Sequence, residues 1–143
     1  MNVKQILSMK GSSDVATIAP AAQLRDAAKV LGEKRYGALV VSNDGATVSG
    51  IISERDIVRA LGRDGPQCLD VPVSVHMTAK VETCAPNDSV LSVMESMTNG
   101  RFRHMPVVQE GRMIGILSIG DVVKARIKQM EEENIQMVNM LHG

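Results

Sequence analysis

A short segment of this 143-residue chain occurs twice, and the duplication limits what the chain can fold into. Residues 50–58 read GIISERDIV, and residues 115–123 read GILSIGDVV at an offset of 65. Upstream, TIAP at residues 17–20 matches TCAP at residues 83–86 at an offset of 66. The chain's only two aromatic residues, Tyr36 and Phe102, also occupy equivalent positions. The sequence therefore predicts two copies of one supersecondary unit.

Each copy has the same alternation of strand and helix patterns. In the first copy, β-rich runs at residues 15–18, 38–41 and 48–52 surround an amphipathic helix with a stripe of Leu24, Ala27, Ala28 and Leu31. In the second copy the runs are 81–84, 105–108 and 113–117, and the stripe is Val90, Val93, Met94 and Met97. A second helix then begins at Ser53 or Ser118. The predicted fold class is α+β, with two β-α-β-β-α repeats.

The repeats divide the chain into four segments. We assign residues 1–62 to the first repeat, 63–72 to a linker with turn-forming residues, and 73–128 to the second repeat. Residues 3–9 and 73–77 are short helical lead-ins. Residues 129–143 form a C-terminal helical tail outside both repeats. Ile127, Met130, Asn134, Met137 and Leu141 have the spacing of a coiled-coil seam. This stripe could cover its own domain, mediate self-association, or fray.

Composition excludes several classes of protein. Formal net charge is zero, which disfavours a nucleic-acid partner. No apolar run is long enough for a membrane span, and the first residues resemble neither a signal nor a transit peptide. Cys68 and Cys84 lack metal-ligand spacing and are predicted to be reduced thiols. We therefore expect a cytoplasmic protein with no membrane association.

The repeated Ser-x-x-Asp motif permits two interpretations. Ser53 and Asp56 stand where a strand enters a helix, so they can form a capping box that stabilises the helix by on the order of 1 kcal/mol. The same helix N-terminus and hydroxyl could instead hold phosphate oxygens, and the carboxylate could accept the two hydroxyls of a ribose. The residues alone favour neither interpretation over the other.

The sequence offers no catalytic arrangement. It contains no nucleophile paired with a base, no spaced set of metal ligands, and neither a GxGxxG nor a Walker phosphate loop. We therefore expect neither an enzyme nor a metal site.

The chain contains two units, and each of them ends in an apolar strand, the motif Gly-Ile-x-Ser-x-x-Asp and a helix. This arrangement resembles a tandem pair of cystathionine-β-synthase (CBS) domains. Residues 105–108, reading MPVV, look like the second strand of that family, and the resemblance covers about residues 3 to 128. The chain is similar to the small stand-alone CBS-pair proteins of bacteria and plant organelles. The resemblance implies two repeats packed about a pseudo-twofold axis (a Bateman module), two ligand clefts, and a disc-shaped homodimer.

The same resemblance implies the ligands and the residues that bind them. Family members bind AMP, ADP, ATP, S-adenosylmethionine or NAD(H), with no obligatory cofactor. Each cleft would combine Ser-x-x-Asp from one repeat with strands from the other. One cleft would contain Ser53, Arg55, Asp56, Thr83, Arg103, His104, Met105 and Pro106; the other would contain Ser118, Asp121, Thr17, Gly37, Ala38 and Leu39. The aspartates would take ribose hydroxyls, the serines phosphate, and strand backbone near Ala38 and Met105 the adenine edge.

The two clefts are expected to differ in charge. Arg55, Arg103 and His104 have Gly120, Gly37 and Ala38 as their counterparts, which predicts tighter binding of phosphate-rich nucleotides at the Asp56 cleft. The predicted function is a non-catalytic regulatory module that reports energy or redox state to an unidentified partner protein. The alternative is a constitutive dimeric scaffold whose clefts are vestigial.

Overall fold

The computed structural model describes residues 1–11 and 15–142, and in that range it contains six α-helices and five strands. In chain order these are α1 Val3–Lys10, β1 Thr17–Ile18, α2 Leu24–Lys34, β2 Ala38–Val41, β3 Gly50–Ser53, α3 Glu54–Asp64, α4 Val73–His76, α5 Val90–Gly100, β4 His104–Gln109, β5 Arg112–Ser118 and α6 Ile119–His142. A 3₁₀ helix, Pro66–Asp70, lies between α3 and α4. The predicted mixed α+β class is confirmed.

The two repeats share backbone conformations as well as sequence. Arg35 and Arg101, which end α2 and α5, both adopt a left-handed conformation, with φ of 57° and 56°. Gly45, in the connection between β2 and β3, and Gly111, in the turn between β4 and β5, have φ of 77° and 78°, a region that glycine occupies without steric cost. The connections between the second and third strands of the two repeats therefore both contain a glycine in the left-handed region.

The two sheets differ in their first strand. In the first repeat β1 runs parallel to β2, and β2 runs antiparallel to β3. The second repeat has a two-stranded β4–β5 sheet, and the strand predicted at 81–84 is reduced to one parallel bridge between Cys84 and Val107. The prediction of a full strand there was wrong.

Proline explains the missing strand. In the first repeat the N–H of Val40 donates to the carbonyl of Ala16 over 3.2 Å. Pro106 stands at the equivalent position and has no N–H, so the corresponding bond to Glu82 cannot form. The bonds that remain are from Cys84 N–H to Pro106 O (3.0 Å) and from Val108 N–H to Cys84 O (2.8 Å).

One compact unit comprises Asp14–Glu82 and Gln109–Ile114. Its core contains the stripe of α2, the inner faces of β2, β3 and α3, and Cys68 from the segment predicted as a linker: Leu24, Ala27, Leu31, Leu39, Val41, Ile52, Ile57, Ala60, Cys68 and Val73. Each fully buried Val, Leu or Ile side chain in this core contributes roughly 1.5–3 kcal/mol to the stability of the fold. The linker is therefore an integral part of this unit.

The other compact unit comprises Met1–Ser13, Thr83–Val108 and Gly115–Gly143. Asn2 and Gln5 form a capping box at the start of α1, and Val3 N–H donates to Asp88 O over 2.9 Å. Ser89 caps α5 by accepting the N–H of Ser92 over 3.0 Å. The lead-in helix α1 thus belongs to the unit of the second repeat, whereas α4 belongs to the unit of the first.

The tail is the end of one continuous helix. α6 runs from Ile119 to His142, and from residue 131 onward every described side chain is exposed. The seam residues Ile127, Met130 and Met137 are 51%, 53% and 63% exposed. This stripe therefore does not cover its own domain. Within the part of the chain that the structure describes, no helix is both long and apolar enough to cross a bilayer.

Candidate functional site

Ser53 and Asp56 form a reciprocal cap at the N-terminus of α3. Asp56 Oδ2 accepts the backbone N–H of Ser53 (2.9 Å) and its hydroxyl (2.9 Å), while Asp56 N–H donates to Ser53 Oγ (3.2 Å). The carbonyl of Gly37 accepts the N–H of Glu54 over 3.1 Å, and Ala38 pairs with Ser53 in the sheet. The start of β2 is thereby held against the start of α3.

The second motif repeats this geometry within its own unit. Asp121 Oδ2 accepts the N–H of Ser118 over 2.9 Å, and Asp121 N–H donates to Ser118 Oγ over 3.1 Å. The backbone carbonyl of Arg103, the counterpart of Gly37, accepts the N–H of Ile119 over 2.8 Å. The capping interpretation of both motifs is therefore confirmed.

A formed cap does not exhaust the hydrogen-bonding capacity of either motif. The capping bonds of Asp56 and Asp121 converge on Oδ2, so the Oδ1 atom of each carboxylate takes no part in them. The serine hydroxyls lie at helix N-termini, where the helix dipole favours anions and where the N–H groups of Arg55 and Gly120 lie outside the cap bonds. Both residue pairs are only half-buried, so a ligand can reach them.

The other predicted site residues fall into two groups. Thr17, Arg55, Thr83 and Arg103 are exposed, and Gly37 and His104 are half-buried at the starts of their strands. Ala38, Leu39, Met105 and Pro106 are buried in the sheets, and Leu39 has no exposed surface at all. Because these four side chains pack into the core, only their backbone could present hydrogen-bonding groups to a ligand.

The structure adds one residue that the sequence comparison missed. Lys10 Nζ lies 2.9 Å from Asp121 Oδ2 and also donates to the carbonyl of Ile116 over 2.7 Å. The only sequence signal was a basic residue in the last turn of a lead-in helix. The charge comparison between repeats considered only equivalent positions, and Lys10 lies upstream of the matched segments.

Lys10 affects the ionisation of Asp121. Burial opposes ionisation of this carboxyl, but the N–H of Ser118 and the ammonium of Lys10 favour the charged form. Together they hold the pKa of Asp121 below its ordinary value. The carboxylate is therefore ionised at neutral pH and already neutralised by a neighbouring cation.

Neither cysteine supplies an activated nucleophile at the two motifs. Burial raises the pKa of the Cys84 thiol to about 12, which leaves it protonated and a poor nucleophile. Cys68 is buried in the core of its unit. Among residues 1–11 and 15–142, no group of three His, Cys, Asp or Glu side chains could hold a metal ion. What the arrangement offers is binding: helix N-termini, hydroxyls and carboxylates.

Comparisons with known proteins agree with this fold. A family model described as "CBS domain" matches residues 3–63 and 70–128. The chain is 40% identical over 118 residues to the mitochondrial CBS domain-containing protein CBSX3 of Arabidopsis thaliana, covering 80% of this chain and 57% of that protein. This chain thus spans little more than half the length of that relative.

Solved structures of similar proteins have the same fold as this chain. The CBS-domain protein ATU1752 from Agrobacterium tumefaciens is 45% identical, with a TM-score of 0.84 over 88% of this chain and 99% of that one. PAE2072 from Pyrobaculum aerophilum, solved in complex with AMP, is 27% identical, with a TM-score of 0.75 over 85% and 89% of the two chains. The CBS pair of MJ0100, in complex with 5′-methylthioadenosine and S-adenosylmethionine, is 25% identical, with a TM-score of 0.78 over 90% and 98%.

Proposed function

This chain belongs to the CBS domain family, and from that premise we propose that it is a non-catalytic regulatory module that binds an adenosine nucleotide. AMP, ADP, ATP and NAD(H) are the candidate ligands, and the bound state would report energy or redox status to a partner protein. Stand-alone proteins of this family are generally regulatory rather than catalytic. The absence of an activated nucleophile beside either motif, within the described residues, agrees with this role.

The observation that carries the proposal is the duplicated cap. Each repeat presents a hydroxyl, one helix N–H group outside the cap and a carboxylate with one oxygen outside the cap, which are donors and acceptors that a ribose phosphate requires. PAE2072 with AMP and MJ0100 with 5′-methylthioadenosine and S-adenosylmethionine support an adenosine-containing ligand. Asp56 and Asp121 would take ribose hydroxyls, and Ser53 and Ser118 would take phosphate.

The rest of each site is proposed from the family pattern. The Asp56 site would add Arg55, Thr83, Arg103 and His104, with the backbone at Met105 and Pro106. The Asp121 site would add Thr17 and the backbone at Gly37, Ala38 and Leu39. Exposed arginines at the first site support a preference there for phosphate-rich nucleotides.

We further propose that the protein is a homodimer and that the tail contributes to it. Asn134 occupies an a position of the seam, where asparagine specifies register in parallel two-stranded coils. Parallel pairing would place Arg126, at a g position, near Glu131 of a second copy at the following e position. In the antiparallel register that sets Asn134 against Met130, Glu131 and Glu133 would instead face their own counterparts. The charges therefore favour a parallel, in-register pair over that arrangement.

Ligand binding would act by shifting the arrangement of this dimer. A ligand can shift such an equilibrium only as far as its affinities for the two arrangements differ. The second candidate function, a constitutive dimeric scaffold, is favoured by the exposed apolar residues of the tail, such as Met137 and Leu141 (63% and 81% exposed).

Titration calorimetry and thermal melting separate the two functions. AMP, ADP, ATP, NADH and S-adenosylmethionine would be titrated into nucleotide-free protein, with and without magnesium. A sensor gives saturable heat, and its melting temperature rises because the ligand binds only the native state. Absence of heat and of any shift with all five compounds would leave the scaffold as the better description.

A further inference from the structure

Lys10 makes the two Ser-x-x-Asp motifs chemically different. Its ammonium is fixed at two points, the carbonyl of Ile116 (2.7 Å) and the carboxylate of Asp121 (2.9 Å). The side chains of Lys10 and Asp121 are 28% and 23% exposed, so the ion pair is partly withdrawn from water. Because screening by solvent is reduced there, the attraction between the two charges is weakened less than in a fully exposed ion pair.

In the first repeat, the equivalent backbone carbonyl accepts a hydrogen bond from a backbone N–H and not from a cation. Ile51 is the counterpart of Ile116, and its carbonyl accepts the backbone N–H of Thr78 over 2.8 Å. No ion pair to Asp56 is present among the described residues. Asp56 Oδ2 accepts two hydrogen bonds, one from the backbone N–H of Ser53 and one from the Ser53 hydroxyl, each over 2.9 Å. That hydroxyl is neutral and free to rotate toward another acceptor.

The two carboxylates therefore differ in what a ribose must displace. At Asp56, a ribose hydroxyl can replace the Ser53 hydroxyl, which exchanges one neutral donor for another. At Asp121, the two ribose hydroxyls need both carboxylate oxygens, and the second hydroxyl must displace from Oδ2 an ammonium that is also anchored to Ile116. Both bonds have an ionised acceptor, but only the bond at Asp121 also has an ionised donor, so displacing the ammonium breaks an ion pair as well as a hydrogen bond.

We propose that Lys10 is a specificity-determining residue that closes the Asp121 motif to ribose hydroxyls. This inference rests on the proposed function, adenosine-ligand binding, and restricts it: Asp121 would take ribose hydroxyls only when Lys10 is displaced or removed, so the wild-type protein should bind one adenosine ligand per chain, at the Asp56 motif. The lead-in helix α1 thereby sets which of two similar motifs is open.

Calorimetric titration of the full chain with AMP and with adenosine tests the proposal. In Lys10→Met we expect a second binding event per chain, because affinity at the Asp121 motif rises by about tenfold or more once the charge-assisted bond is removed. Lys10→Arg keeps the cation and should retain one site. Lys4→Met is the matched control, since Lys4 is exposed on the same helix and has no ion pair among the described residues. If Lys10→Met fails to fold, Lys10→Gln replaces it.

Each result supports or overturns the proposal. A second site that appears in Lys10→Met and disappears in Lys10→Met/Asp121→Asn supports it. An unchanged stoichiometry in Lys10→Met, with binding at the Asp56 motif intact, overturns it while the proposed function stands. Weaker AMP binding in Lys10→Met also overturns it, because Lys10 would then be a phosphate ligand. Absence of binding by wild type and variants alike overturns both proposals.

Discussion

Asp56 accepts the backbone N–H and the hydroxyl of Ser53 on one oxygen, Oδ2, each over 2.9 Å. The backbone bond caps α3, whereas the hydroxyl bond adds nothing to the helix ladder and can be exchanged. Stability and ligand binding therefore depend on different hydrogen bonds to the same carboxyl group, and substitutions can separate them.

Asp56→Asn should impair binding far more than folding. The amide oxygen can still accept the N–H of Ser53, so we expect a loss of stability of at most about 1 kcal/mol. Hydrogen bonds to a charged group contribute about 1.5–3 kcal/mol, so AMP affinity should fall by roughly 10- to 100-fold. Calorimetry and thermal melting measure the two effects.

Glu54→Gln is the control for this substitution. It removes one negative charge from the same helical turn, where Glu54 is exposed and outside the cap. AMP affinity should change little. An equal loss in Glu54→Gln, or a greater loss of AMP affinity in Asp121→Asn than in Asp56→Asn, would contradict the assignment of the first motif as the main site.

Pro106→Val should restore a missing backbone bond. The new N–H can donate to the carbonyl of Glu82, as Val40 donates to Ala16 over 3.2 Å in the first repeat. The new hydrogen bond should stabilise the fold by a net of about 0.5–1.5 kcal/mol. The loss of proline rigidity should destabilise it by about 0.4–1 kcal/mol, so the two effects nearly cancel. We expect an almost unchanged melting temperature and a slowly exchanging amide at position 106. Rapid hydrogen exchange at that amide would show that proline does not limit the strand.

Asp44 should make the first unit sensitive to acid. Its carboxylate accepts the N–H of Thr47 (2.8 Å), the N–H of Ala46 (2.9 Å) and the Thr47 hydroxyl (2.9 Å). These bonds, that of the Thr47 backbone foremost, hold the pKa of Asp44 well below its ordinary value of 3.8. A depressed pKa stabilises the fold fully above that ordinary value, and the stabilisation is lost as pH falls below it.

The measurement is the difference in melting temperature between wild type and Asp44→Ala. We expect this difference to be largest near about pH 6 and to shrink toward about pH 2.5. Asp70→Ala is the control. The side chains of Arg25 and Asp70 are 57% and 64% exposed, so their ion pair contributes little to the stability of the fold. A difference that stays constant with pH would mean that the carboxylate charge is not what Asp44 contributes.

A cysteine at the seam should report the orientation of the tail in the dimer. In a parallel, in-register pair, Asn134→Cys faces itself across the seam and should form an interchain disulfide under mild oxidation. Asn139→Cys, at an f position on the opposite side of the helix, should remain monomeric on a non-reducing gel. Cys68 and Cys84 are buried and should not interfere. Equal cross-linking at 134 and 139 would indicate random collision instead.

Much of the architecture followed from the duplicated pattern. The capped starts of α3 and α5 and the left-handed turns at Gly45 and Gly111 are local features, dictated by neighbouring residues. Pro106 shows the limit of this reasoning. The sequence at 81–84 resembles a strand, but strand formation there depends on an N–H that a residue more than twenty positions away does not possess.

The sequence by itself determined the repeat, its mixed α+β class and the pairing of each serine with the aspartate three positions later, because these depend on short-range periodicity and helix capping. The tertiary structure alone decided that α1 packs into the unit of the second repeat and brings Lys10 to Asp121. Contacts across more than a hundred residues of chain are set by which apolar faces bury each other. No local pattern encodes such a contact, so the charge difference between the two motifs could be recognised only in the folded protein.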